Sequence, residues 1–421
     1  MTHRPVRVVT VTRNGLDVAD RLEEARSYVR SHALVESDNH RVGLELECHL
    51  IDLRHLERRP EWSEIAAIID GLPAMPAGSN TSVEPGGQLE LSTLPMDDAG
   101  SAVQALRTDL QALRAAVRES GLALLPLGAD PLRVPCRVHP GQRYTAMEQH
   151  FTGCGCGTDG TAMMTATAAL QINLDAGAAA NWAERVRLVS GLCPVLIAVS
   201  AASPLLGGRR SGWSSMRQQS WYGIDQRRAG PVRCTDDPAG SWAEYAMAAP
   251  VMQVKHPGGR TPITTAYSFG SWVSADAPFG RPPTSADLDD HLTTLFPPVR
   301  LRGHLELRSM DALPDRWWPG LVAFAVTLLD DQSAAVSLAE VVEPVRDLWT
   351  EAAKFGLSDA RLARAARGCA EIARRHVPAQ LRTELEEFCA LIDRGLTPAD
   401  LLRRRIEQVG TAAVIKEEAD V

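Results

Sequence analysis

The chain runs to 421 residues, 45% of them hydrophobic and 23% charged, with a formal net charge of −8. That length can bury a large core and fits about two or three domains, and the balance is that of a soluble globular protein. The mild acidity argues against a nucleic-acid surface, and no uninterrupted apolar run reaches the roughly 20 residues of a membrane span. Eight scattered cysteines without a Cys-x-x-Cys pair argue against a disulfide framework or a structural zinc site. Residues 1–15 carry basic side chains but no apolar signal segment. A cytoplasmic protein with no membrane or nucleic-acid partner is therefore expected.

The first informative segment is residues 42–50. Leu44, Leu46, Cys48 and Leu50 fall on one face of a strand, and Glu45, Glu47 and His49 on the other. Glutamate is depleted in strands, so two in succession need a reason. Glu84-Pro85-Gly86-Gly87-Gln88-Leu89-Glu90 predicts a tight turn with carboxylates at both shoulders. Proline presets φ there, and the glycines tolerate positive φ. Leu89 and Leu91 then alternate with Gln88, Glu90 and Ser92.

Val103, Leu106, Leu110, Leu113 and Val117 predict a helix over 97–120, stopped at Gly121 and followed by a strand over 122–127. Cys154 and Cys156 sit in a glycine loop over 153–157. Residues 155–160 fit Gly-x-Gly-x-x-Gly but lack the strand–turn–helix setting of a dinucleotide site. A third alternating strand spans 170–175, with Gln171, Asn173 and Asp175 on its polar face. An apolar helix is expected over 182–202, ending at Ser203-Pro204. Residues 209–230, rich in Arg, Ser, Gly and Trp, read as a binding loop with a short helix. Ser285 is the expected N-cap of a helix over 285–296. Residues 301–308 read as a fourth strand, with Arg302, His304, Glu306 and Arg308 on the polar side.

Beyond residue 315 the pattern turns helical, over 320–331, 333–355, 359–375, 378–394 and 398–408. The expected organisation is a catalytic α+β core over 1–315, a helical C-terminal layer over 316–410, and a frayed tail over 411–421. Strands this far apart, without βαβ units, imply an α+β fold with a mostly antiparallel sheet, one face covered by helices and the other open and polar.

If the four strands are neighbours, Glu45, Glu47, Glu84, Glu90 and Glu306 crowd one surface. Two strand positions apart, Glu45 and Glu47 lie about 7 Å from each other. Such carboxylates repel unless protons or cations neutralise them, and an all-oxygen set suits Mg²⁺ or Mn²⁺. The competing reading is a solvated face with scattered charge. Arg302 and Arg308 match carboxylate and phosphate ligands, or simply balance the glutamates. His49 and His304 read as hydrogen-bonded structural residues. P-loop, nucleophile-elbow and His-Glu-x-x-His signatures are all absent.

These residues resemble the plant and bacterial glutamate–cysteine ligase family, which shares the glutamine synthetase-like carboxylate–amine ligase fold. The resemblance rests on Gly43-Leu44-Glu45-Leu46-Glu47, on residues 84–92, on Arg143-Tyr144-Thr145-Ala146-Met147 and on residues 165–175. It continues through Ser203-Pro204, Arg217, Trp221, Asp225, Arg228 and Leu305-Glu306-Leu307-Arg308. Length and the Arg308-to-Pro314 segment look closest to the ergothioneine branch. One departure is Ala168-Ala169-Leu170, where relatives often carry hydroxyls ahead of the Gln-x-Asn pair.

The resemblance implies ATP-dependent joining of the γ-carboxylate of L-glutamate to the amine of L-cysteine through a γ-glutamyl phosphate. It implies Glu45, Glu47, Glu84, Glu90 and Glu306 as Mg²⁺ ligands, with Gln171 and Asn173 at the nucleotide–metal site. Gln88, Arg217, Trp221 and Arg308 are the implied substrate contacts, and Glu47, Glu90 and Arg308 the catalytic groups. The rivals are a ligase with another acceptor amine, a metal-dependent hydrolase and a non-catalytic binder.

Overall fold

The computed structural model describes residues 18–275 and 277–419. The expectation for residues 1–15 lies outside that range. Strands in chain order are β1 (Val42–Ile51), β2 (Asn80–Val83), β3 (Leu89–Ser92), β4 (Ala123–Leu125), β5 (Ala169–Leu174), β6 (Leu205–Leu206), β7 (Arg209–Arg210), β8 (Gln253–His256), β9 (Gly259–Pro262), β10 (Val299–Leu301) and β11 (Leu305–Asp311). Seven of them form one sheet in the order β10-β11-β5-β1-β3-β2, with β4 also paired to β1. Every pairing is antiparallel, as the widely spaced strands implied. β6–β7 and β8–β9 form separate two-stranded ribbons.

Alternation works as expected on the covered face. Leu44, Leu46, Leu89, Leu91, Leu170, Ile172, Leu305 and Leu307 are all buried. Each contributes about 1.5–3 kcal/mol of apolar transfer. The helices Ala99–Glu119 and Trp182–Ser200 pack on this side, against β1 and β11 respectively. Asp98 caps the first by accepting from Ser101 N. Inside that helix, buried Asp109 accepts from Ala77 N at 2.6 Å and Ser79 N at 3.0 Å, which fixes the chain just ahead of β2.

The C-terminal helices Trp318–Asp330, Ala360–His376 and Arg382–Asp393 extend the same apolar cluster without a break. The expected helix over 333–355 divides into Gln332–Val342, the short turn Glu343–Val345 and Trp349–Phe355; Pro344, at this break, has no N–H to continue the ladder. Among the described residues no single helix is long and apolar enough to cross a membrane.

Three local expectations change. The supposed tail is a helix, Thr411–Ala419, with Val414, Ile415 and Ala419 buried and Glu418 paired to Arg316; its apolar side chains were too few to register as a pattern. The cap of Ser285–Leu292 is Thr284, not Ser285, because Thr284 and Asp287 form a reciprocal capping box. The segment 301–308 is not one strand: Gly303 takes φ +76° and turns the chain from β10 into β11. Arg302 lies exposed at that turn, off the polar face.

Candidate active site

Directly opposed residues of antiparallel strands share a face. Across the sheet the register sets Arg300 opposite Glu306, Glu306 opposite Asn173, Gln171 opposite Glu45, Glu47 opposite Glu90, and Glu90 opposite Ser82. Cationic groups therefore gather at the β10–β11 edge and carboxylates toward β1–β3, on one continuous polar face.

Hydrogen bonds join the two halves. Arg300 donates from Nε and Nη2 to the two oxygens of Glu306, and Arg308 Nη1 donates to Glu306 Oε1 and to Gln171 Oε1. Gln171 Nε2 donates to Glu47 Oε1 at 3.3 Å, and Ala169 N donates to Glu47 Oε2 at 2.9 Å. Asn173 bridges Glu45 Oε1 at 2.9 Å and the His304 ring at 3.1 Å. Ser82 and Ser92 both donate to Glu90 Oε1.

The two ends differ in electrostatics. Burial, the adjacent Glu90 charge and weaker opposition from Arg217 and Arg308 push Glu47 up to about 7. Glu84 is pushed well above the usual carboxylate range by burial and by Glu47 and Glu90. Glu90 rises through burial and Glu45. Glu306 goes the other way. Burial opposes its charge, but Arg308 and Arg300 overcome it and hold the carboxyl at about 2. Glu306 is thus an arginine-bound anion, in a different setting from the other four glutamates expected to bind metal.

Glu84 is carried by the β2–β3 turn. Glu84 N donates to Gln88 O and Gly87 N to Glu84 O, with Gly87 at φ +87°. A Cβ on Gly86 would collide with the Thr165 carbonyl. Arg59 braces this turn by donating to Gly86 O at 3.2 Å; nothing in the local pattern singled it out. Gln88, expected to touch substrate, is 2% exposed and donates to Thr167 O at 2.8 Å. It clamps the hairpin onto the backbone after helix Gly157–Thr165. Tyr144 lies beside the turn, its phenol pushed up to about 12 by burial and by Glu84.

Arg217 and Trp221 come from the short helix Met216–Tyr222, capped by Ser215. Arg217 is buried and donates from Nη2 to Arg308 O at 2.8 Å, while its Nε and Nη1 have no hydrogen-bond partner. Trp221 packs on Phe296 and walls a cleft of about 280 Å³ that Arg308, Gln218, Tyr222 and Trp349 also line. The binding loop expected over 209–230 is thus a ribbon edge, two short helices and one wall of this cleft.

His49 is buried against Leu127 O and pushed down to about 4 by burial, which makes it structural. Arg300 was missed because its place depends on the hairpin at Gly303; only that glycine could have signalled it.

The donor set suits a divalent cation. Glu45, Glu47, Glu84 and Glu90 are hard oxygen donors, and burial together with the neighbouring carboxylates raises the proton affinity of the last three. Among the described residues no three His, Cys, Asp or Glu side chains converge tightly on one point. The acidic groups lie spread along an open face, as strand alternation implied, and not in one closed cluster.

A carboxylate-rich antiparallel face meeting paired arginines beside an aromatic cleft marks an α+β enzyme suited to charged substrates. The chain belongs to the glutamate–cysteine ligase family 2 (GCS2), matching it over residues 41–419. It is 46% identical over 400 residues to the glutamate–cysteine ligase EgtA of Mycolicibacterium smegmatis, covering 94% of each chain. To the EgtA of Mycobacterium tuberculosis it is 47% identical, covering 93% of this chain and 92% of that one. A chloroplastic glutamate–cysteine ligase of Arabidopsis thaliana is 30% identical over 75% of this chain and 63% of its own. The branch read from the sequence is thus the one that fits. The fold is shared with a Francisella tularensis glutamate–cysteine ligase crystallised with AMP, at TM-score 0.56 and 12% identity, covering 92% of this chain and 88% of that one.

Proposed function

We propose that this chain is a cytoplasmic ATP-dependent glutamate–cysteine ligase. The γ-carboxylate of L-glutamate attacks the γ-phosphate of ATP, forming γ-glutamyl phosphate and ADP. The cysteine amine then displaces phosphate to give γ-glutamylcysteine. The observation that carries this reading is the joining of two opposite electrostatic zones along one sheet face: Glu45, Glu47, Glu84 and Glu90 at one end, and Arg300 and Arg308 at the other, backed by Arg217 from a neighbouring helix.

The chain's own groups perform positioning and charge compensation. Arg308 lines the cleft, with Arg217 buried behind it on the Arg308 carbonyl, and the pair holds anionic groups of glutamate and phosphate. Trp221 walls the substrate, and Gln171 and Asn173 fix the carboxylates they touch. Burial and Glu45 raise the proton affinity of Glu90, so its carboxylate accepts a proton from the incoming ammonium of cysteine. Glu45, Glu47, Glu84 and Glu90 would hold Mg²⁺, which when bound offsets the charge of the ATP phosphates. All eight cysteines are free thiols, which suits a reducing cytoplasm.

Incubating the pure chain with L-glutamate, L-cysteine and Mg-ATP tests this. The expected mass-spectrometric product is γ-glutamylcysteine, with ADP and phosphate in equal amount. Turnover without ATP, or ADP release that ignores cysteine in favour of another amine, overturns it.

A further inference from the structure

The segment after Arg308 ends on Asp311, a carboxylate with 1% of its surface exposed and no part in the chemistry above. It closes β11 beyond a register shift between Leu307 and Met310. Its Oδ2 accepts from Ala202 N at 2.9 Å and Ser203 Oγ at 2.6 Å; its Oδ1 accepts from Ser215 Oγ at 2.8 Å. Gly128 makes room for it, since a Cβ there would run into the carboxylate.

Those two serines control Arg217. Ser203 Oγ accepts from Arg217 N at 3.1 Å, and Ser215 Oγ caps the same helix through Gln218 N at 3.1 Å. Ser203 and Ser215 also form a parallel bridge, with Met216 N donating to Ser203 O at 2.8 Å. One carboxylate therefore fixes both the exit of helix Trp182–Ser200 and the entry of the helix that carries Arg217.

The distance to Arg217 itself is the informative quantity. Arg217 Nη1 lies 4.0 Å from Asp311 Oδ1, near enough for attraction but beyond a hydrogen bond. A buried arginine normally closes a bidentate fork on such a neighbour. Here three other donors already bind Asp311. The guanidinium keeps its compensating charge while Nε and Nη1 stay unpartnered.

We propose that Asp311 is the positioning counter-ion of Arg217, restrained by Ser203 and Ser215 so that the buried guanidinium stays on the Arg308 carbonyl and keeps Arg308 turned into the cleft. This rests on the reading of Arg217 and Arg308 as the pair that recognises glutamate. Removing the charge, or releasing the carboxylate to capture Arg217, weakens glutamate binding without weakening ATP binding.

The test compares Asp311→Asn, Ser215→Ala and Arg217→Lys in the full chain, with KM for glutamate, KM for ATP and kcat measured separately. Asp311→Asn is expected to raise the glutamate KM at least tenfold and Ser215→Ala several-fold, both leaving the ATP KM within twofold. Should Asp311→Asn fail to fold, Ser215→Ala carries the test. Equal rises in both KM values mark a general structural role and overturn the proposal. If Arg217→Lys raises the glutamate KM while the other two leave it within twofold, Asp311 is dismissed and the glutamate reading stands. If Arg217→Lys changes nothing, the reading of Arg217 falls and this proposal with it.

Discussion

Arg300 faces Glu306 across the β10–β11 hairpin and donates to both of its oxygens, while Arg308 shares one of them. A single buried carboxylate thus aligns two guanidinium groups at the edge of the polar face. Arg300→Met retains most of the buried stem but leaves Glu306 to Arg308 alone. Fully orphaning a buried charge costs about 3–5 kcal/mol; with one partner left, a loss of roughly 2 kcal/mol is expected. Turnover should also fall, because Arg308 is drawn toward Glu306. Thermal denaturation and phosphate release report the two effects, and a variant unchanged in both would deny Arg300 any part in the site.

Glu47→Gln separates stability from function. Glu47 faces Glu90 in register and is lifted to about 7 by burial and that charge. Removing one of several crowded carboxylates relieves repulsion, so the melting temperature without metal should hold or rise. Added Mg²⁺ should then stabilise the variant less than the parent. ADP release should fall by about a hundredfold or more, the scale for losing a preorganised electrostatic group. A variant that melts early and keeps its turnover would contradict the assignment.

Much of this face was legible because strand alternation has a period of two. Glu45, Glu47, Glu90, Gln171, Asn173, Glu306 and Arg308 all fall on the predicted side, and the leucines between them are buried. What escaped depended on where the chain turns or what packs from afar. Extending the alternation back from Glu306 selected Arg302; the turn at Gly303 puts Arg300 there instead. Gln88 looked like a polar strand residue, but the carbonyls that take its amide come from a segment about eighty positions away. Asp311 had no local signal, since Ser203 and Ser215 reach it only in the folded chain.

His291 gives a pH dependence of defined sign. It is buried against Ala246 O, stacked on Phe269, and held down at about 3 by burial and by Arg228. An unfolded histidine titrates near 6.5. As pH falls from about 6.5 toward 3, the unfolded chain takes up a proton that the folded chain refuses, so stability falls. By pH 5 the loss is on the order of 1–2 kcal/mol. Glu47 has the opposite sign: its folded form keeps a proton from its ordinary 4.5 up to about 7, so its contribution is lost as pH rises. His291→Gln should flatten the acid side of the stability curve without touching the neutral side. Denaturant melts at pH 5 and pH 7 measure this, and an unaltered difference between them would show that other groups set the slope.

Arg308→Lys asks whether charge or geometry matters at the cleft. Arg308 lines the cleft, and its Nη1 alone reaches both Glu306 and Gln171. Burial works against its charge, but Glu306, Glu45 and Glu47 outweigh that and keep the guanidinium protonated. A lysine keeps the charge and loses the planar fork. It can pair with Glu306, yet it cannot hold Gln171 in the same plane and offer a second parallel donor to a ligand. Gln171 would then orient Glu47 less firmly, through the bond that now measures 3.3 Å. The expected result is a glutamate KM raised about tenfold or more, the scale of one lost charge-assisted hydrogen bond, with a smaller fall in kcat. Steady-state kinetics with glutamate varied at saturating ATP and cysteine decide the point. A lysine variant with the parent's glutamate KM would mean that Arg308 acts only as a positive charge beside Glu306, and that substrate carboxylates are recognised elsewhere in the cleft.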